Sequence, residues 1–456
     1  MPKLCPGKLV QVAEAAVMAG WIATAFLVGG CGNGPTQASG ASAGSRGGEP
    51  SGGEPSSGAA AGASPDSGGG RAGAGAEPSP TSLDLNDVSF LFPLPKWADR
   101  DDLLSPSSSG ARGELLPASA FDVDAQHIVV QQSDVVAPSD VHASLRVVGI
   151  RVDPCFPADA TATPACRHQI RMVLQPIVQD SATSELTTMD STVHLFFDLT
   201  DTDWSSLVRD LHSLRGLVPS ALRTKHALGI NPTMALQGLR GEYATALRST
   251  MMKYAGNSDL SRVALAMLLT SNASHTTQGG MLWTFTAFDR KEGRFQSAAI
   301  PLMNDPLNKQ DAILGFTTSD QGPNAPHHLG VATSVPETSL QALADDLPLS
   351  SDAELHVALR LALELENPTS RFNPQTDDCV SCHFATRNRG YAEAERGMST
   401  EGWPERFEDP NFSLDRVDAE PNDIRVLRSF GYFGIQSAVA QRTINESAVV
   451  AAALSR

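Results

Sequence analysis

The chain has 456 residues, with 34 Lys and Arg against 51 Asp and Glu and a net charge of −17. That balance excludes a nucleic-acid partner, because a phosphate backbone needs a basic face to displace its counterions. Hydrophobic residues at 41% suffice for a sizeable core, and six cysteines are too few for a disulfide scaffold of this length.

Lys3 and Lys8 make a basic start, and residues 15–28 form an apolar run ahead of Gly29-Gly30-Cys31. A run of 14 residues is short for a membrane span but suits the core of a signal peptide. The small residues before Cys31 resemble the lipobox of bacterial lipoproteins. The resemblance implies cleavage after residue 30, lipidation of Cys31 and a location in the cell envelope, on an outer membrane or a periplasmic face. An ordinary signal peptide that happens to end near a cysteine is the alternative.

Of the 49 residues in 32–80, 40 are Gly, Ala, Ser or Pro, and none is a large apolar residue, so this stretch cannot build a core. Residues 31–82 are expected to be a flexible tether with a reach of about 40 Å. Gly40-Ala41-Ser42-Ala43-Gly44 fits a nucleophile elbow by pattern, but it lacks the strand and helix that give that motif its chemistry.

Residues 83–340 have the composition of a folded α+β domain with a mainly antiparallel sheet. Segments 145–153 (LRVVGIRVD) and 168–178 (HQIRMVLQPIV) are rich in β-branched residues and partly alternate, which predicts strands. Cys155 and Cys166 bound the Pro-rich loop between them, and in an exported protein they are expected to form a disulfide; two buried thiols are the alternative. Further strands are predicted at 193–199, 263–269 and 281–289, the last turning at Lys291-Glu292-Gly293 into 294–300. Apolar spacing predicts helices over 204–214 and 233–254. No catalytic constellation is present in this region, and the adjacent His327 and His328 read as loop histidines rather than metal ligands.

The motif with chemical content is Cys379-Val380-Ser381-Cys382-His383. Two thiols at this spacing can add to the two haem vinyl groups, and the following imidazole can reach the iron. The motif resembles the haem-attachment site of c-type cytochromes, over about residues 350–456 only. The resemblance implies one covalent haem c held by Cys379 and Cys382, with His383 as the proximal iron ligand. A redox dithiol is the first alternative, although no thioredoxin-like βαβ pattern surrounds the pair. A zinc site is the second, although no further Cys/His pair follows.

Ser351 and Glu354 make a capping box that opens a helix through Leu365, and Asn367-Pro368 ends it. Thr443 and Glu446 suggest a second capping box before the Ala/Val-rich run 447–454. Helices on both sides of the motif resemble the paired terminal helices of small cytochromes c, so 341–456 is expected to be a small, mostly helical haem unit; two ordinary amphipathic helices of the main domain are the alternative. No histidine follows His383, and Met398 is the only methionine there, which makes it the first candidate for the distal iron ligand. An upstream histidine such as His356 or His328, or an open sixth position, are the alternatives. Arg387, Arg389 and Arg396 are candidates for pairing with haem propionates.

These features imply a membrane-tethered monohaem cytochrome passing single electrons to a redox protein partner in the envelope. The alternatives are a haem enzyme with an open iron site, acting on peroxide or a small ligand, and a binding lipoprotein without redox function.

Overall fold

The computed structural model describes residues 82–120, 140–157, 166–180, 183–189, 191–223, 226–269, 281–301, 309–315, 328–331, 351–409 and 429–455. The expected signal segment, Cys31, the tether and His327 lie outside the described residues. Among the described residues no helix is long and apolar enough to cross a membrane.

The strands are β1 (Ser89–Leu91), a two-residue pair β2 (Ser109–Gly110) and β3 (Gly113–Glu114), β4 (Leu145–Pro157), β5 (Cys166–Gln179), β6 (Leu186–Thr188) and β7 (Ser191–Leu199). They continue with β8 (Leu260–Leu269), β9 (Met281–Lys291), β10 (Arg294–Ser297), β11 (Lys309–Gly315), β12 (His328–Val331), β13 (Phe430–Phe433) and β14 (Gln436–Val439). One ten-stranded sheet runs in the order β1-β4-β5-β7-β8-β9-β11-β12, with β6 paired to β5 and β10 to β9. Every pairing in it is antiparallel. The helices are α1 (Val141–Ser144), α2 (Asp201–Gly216), α3 (Pro232–Gln237), α4 (Glu242–Tyr254), α5 (Asp352–Glu366), α6 (Cys379–Arg396) and α7 (Gln441–Leu454). The architecture is α+β with an antiparallel sheet.

Side chains alternate across a strand, so the register assigns each residue to a face. Ile170, Met172, Leu195, Phe197 and Val263 share one face, and α2 closes on it, with Trp204 stacked on His168 at 5.0 Å. Arg171, Val173, His194, Phe196 and Phe285 share the other. The described C-terminal segments, 351–409 and 429–455, cover that second face. Phe430 and Tyr432 of β13 and Ile444 and Ala448 of α7 belong to the same hydrophobic cluster as the sheet. A second cluster joins Ala266 and Phe285 of the sheet to Ala362 and Leu365 of α5 and Val380 and Phe384 of α6.

Two expectations are corrected. The single helix expected over 233–254 is two helices, because Gly238 takes a positive φ of 75° at the end of α3. A Cβ at Gly241 would sit 2.7 Å from the Gln237 Cβ, so a side chain there would jam the turn that starts α4. Apolar periodicity runs straight through this break, and the two glycines were the signal against it. The capping box expected at Thr443 and Glu446 does not form. Helix α7 starts one turn earlier, with Ala440 as N-cap, and Glu446 is drawn instead to Arg442 and Arg151.

Cys155 and Cys166 are joined as a disulfide with their Cα atoms 4.8 Å apart. The pair ties the ends of β4 and β5, next to the Pro157–Cys166 register position.

Candidate functional site

Helix α6 begins at Cys379, so Cys379-Val380-Ser381-Cys382-His383 forms its first turn. Asp378 is the N-cap, and its carboxylate accepts from the Ser381 backbone N at 3.0 Å and the Ser381 hydroxyl at 2.7 Å. A carboxylate here satisfies the open donors of the first turn and suits the positive end of the helix dipole. Gln310 of β11 ties this turn to the sheet. Its Nε2 donates to Asp378 at 2.6 Å, and its Oε1 accepts from the Val380 backbone N at 3.0 Å. Gln310 lies beside Phe285 of β9 in register, and the Phe285 ring meets the His383 imidazole at 4.8 Å. The Ser429 hydroxyl contacts His383 Nδ1 at 3.1 Å, which fixes the ring from the other side.

Cys379 and Cys382 are partly buried and are not paired with each other. Burial, reinforced by Asp378, pushes the Cys379 thiol up to about 12. Burial and then Asp377 push Cys382 up as well. Asp377 is itself raised to about 7, by burial and by the neighbouring Asp378. A redox dithiol needs a thiolate of lowered pKa, and this environment does the opposite. Among the described residues no group of three His, Cys, Asp or Glu could hold a bare metal ion, which is also unlike a closed zinc site.

Cys382 and His383 line a cavity of about 150 Å³ between α6, α7 and the sheet. Its floor comes from the second sheet face. Arg151 of β4 is opposite Arg171 of β5, Arg171 is opposite Phe196 of β7, and Val173 is opposite His194. Arg442 and Glu446 of α7 close one wall, with Ser429 and Phe430 beside them. Glu446 accepts from Arg151 at 2.8 Å and from Arg442 at 2.7 Å. Arg171 also pairs with Asp153. Burial, then His383 and Arg171, push His194 down to about 3, so its imidazole is neutral at ordinary pH. A neutral imidazole is a metal-ligating form.

The residues present fit a haem c by the chemistry of the donor set: Cys382, two imidazoles and three guanidiniums beside one carboxylate line the cavity, and Cys379 lies on the same helical turn as Cys382 without lining it. Cofactor pockets usually have about 300–1,000 Å³. A cavity of about 150 Å³ lies below that range and must therefore widen to seat a macrocycle.

The other predicted residues lie elsewhere. Met398 packs against Leu355 of α5 and is not among the cavity-lining residues. His356 is exposed, stacks on Trp403 at 5.5 Å and places its Nδ1 at the Asp352 carbonyl. His328 sits on β12, but its side chain is outside the described residues. Arg389 is buried between Glu366 at 2.7 Å and Glu393 at 2.5 Å, and Arg396 pairs with Asp352 at 3.2 Å. Arg387 is fully buried and does not line the cavity. The arginines that do, with His194, were missed in the sequence. Their one local signal is a polar residue flanked by apolar ones inside a central strand, as in Ile170-Arg171-Met172 and Val193-His194-Leu195.

Comparison with protein-family models, with curated proteins and with solved structures gave no match.

Proposed function

We propose that the chain is a monohaem c-type electron carrier of the cell envelope, tethered through Cys31 and the 31–82 segment. The observation that carries this reading is that Cys382 and His383 face one cavity together with a second imidazole and the guanidiniums of Arg151, Arg171 and Arg442. Bound haem would supply a one-electron iron couple.

The chain's own residues divide the work of holding it. Cys379 and Cys382 would hold the haem as thioethers, each S–H adding across one vinyl double bond with no net oxidation. Ser429 engages His383 Nδ1, which sets the ring's orientation and would leave Nε2 for the iron. The propionates are carboxylates, and guanidinium forks are the side chains best matched to them. Asp378 and Gln310 hold the first turn of α6 against β11, which fixes where the thiols and imidazole point. In this reading α5, α6 and α7 are the haem-bearing region, and the sheet supplies the wall opposite His383.

The test is an alkaline pyridine haemochrome spectrum of the full chain, expressed with a cytochrome c assembly system. Covalent haem is expected at one per chain, and a Cys379→Ser, Cys382→Ser double variant should carry none. A wild-type chain without covalent haem refutes the proposal.

A further inference from the structure

We infer that His194, and not Met398, is the second axial ligand of the iron, an inference that rests on the haem reading above. His194 is the one other imidazole among the residues that line the cavity with His383. Its direction is set by the sheet rather than by its own rotamer alone. Strand β7 is paired on both sides, with His194 opposite Val173 of β5 and Ala264 of β8. Val173 lines the same cavity, which places the His194 side chain on the cavity face. Ala264 is a small neighbour that leaves the imidazole room.

His383 enters from the helix side and His194 from the sheet side. Their rings therefore come from two elements that face each other across one space. Among the described residues no hydrogen bond engages the His194 ring. The side chain is half-buried, so a ring without a protein partner is compatible with one that opens onto the cavity. Met398 is held elsewhere by Leu355, and His356 by Trp403.

Absorption and electron paramagnetic resonance spectra of the haem-loaded full chain test this. The wild type should be low-spin in both oxidation states, without a sulfur-to-iron charge-transfer band. His194→Ala should become high-spin, and added imidazole should restore the low-spin spectrum, which separates lost ligation from lost folding. His194→Met should show the sulfur band and a raised midpoint potential. Met398→Ala should leave all spectra unchanged. A wild-type sulfur band that disappears in Met398→Ala overturns the assignment, as does an unaltered low-spin spectrum in His194→Ala. Those failures occur with covalent haem still present, so they are distinct from a failure of the haemochrome test.

Discussion

Arg151 and Arg171 stand directly opposite each other on β4 and β5, and Glu446 of α7 bridges them, 2.8 Å from Arg151 and 3.8 Å from Arg171. Like charges opposed across a ladder repel, so the pair persists because the helix brings a carboxylate to it. Burial alone would raise that carboxyl, but Arg442, Arg151 and Arg171 together hold it well below the usual carboxylate range. Glu446→Gln should cost about 3–5 kcal/mol by urea denaturation at neutral pH, since it removes the charge that Arg151 and Arg442 bond in a buried cluster.

The same carboxylate makes an acid-stability prediction. Its folded pKa lies below the unfolded value of 4.5, so its contribution is fully present above that pH and is lost as pH falls below it. Wild-type protein should lose stability progressively on acidification from about pH 4.5. Glu446→Gln should show a flatter profile over that range. Equal slopes for the two proteins would remove Glu446 as the cause.

Asp378 is predicted to position the motif as well as cap its helix. Asp378→Ala removes the cap and leaves Gln310 Nε2 without its acceptor, a loss of about 2 kcal/mol. The yield of covalent haem should fall with it, and Asp378→Asn should recover most of the stability. Chemical denaturation and haemochrome yield on the three proteins check this.

Gly149 lies under the ring of Phe430, where a Cβ would come within 2.8 Å of the ring edge. Gly149→Ala should displace Phe430, a cavity-lining residue, and destabilise by about 1–3 kcal/mol. Pairing it with Phe430→Leu should return part of that loss, which a double-mutant cycle would read as coupling.

The disulfide closes a loop with a sequence separation of 11. On the chain-entropy account, Cys155→Ser with Cys166→Ser should lower stability by about 3 kcal/mol, seen as a lower urea midpoint. Neither cysteine of the bridge lines the cavity, so haem attachment should be unaffected.

Much of the fold could be read locally. The strands at 145–153, 168–178 and 193–199 announced themselves through β-branched residues, and α5 through its Ser351–Glu354 capping box, which the structure contains. Local pattern failed where a local choice was decided elsewhere. Glu446 has capping-box spacing from Thr443, yet three arginines claim its carboxylate, two of them nearly 300 residues away in sequence. Arg389 sits six residues from His383 in sequence, but Glu366 and Glu393 hold it away from the cavity.

The sequence by itself determined the Cys379-Val380-Ser381-Cys382-His383 motif, because two thiols and an imidazole within five consecutive residues need no partner to be recognised. It also determined the antiparallel α+β class, through the strand pattern and the lack of alternating βα units. Only the tertiary structure decided which residues look at His383. That depends on strand register and on which sheet face α6 covers. A shift of one residue in β5 or β7 would turn Arg171 or His194 to the opposite side. No local feature of residues 168–199 records that they meet a helix starting at Cys379, so His194 and the three arginines emerge only once the sheet is folded.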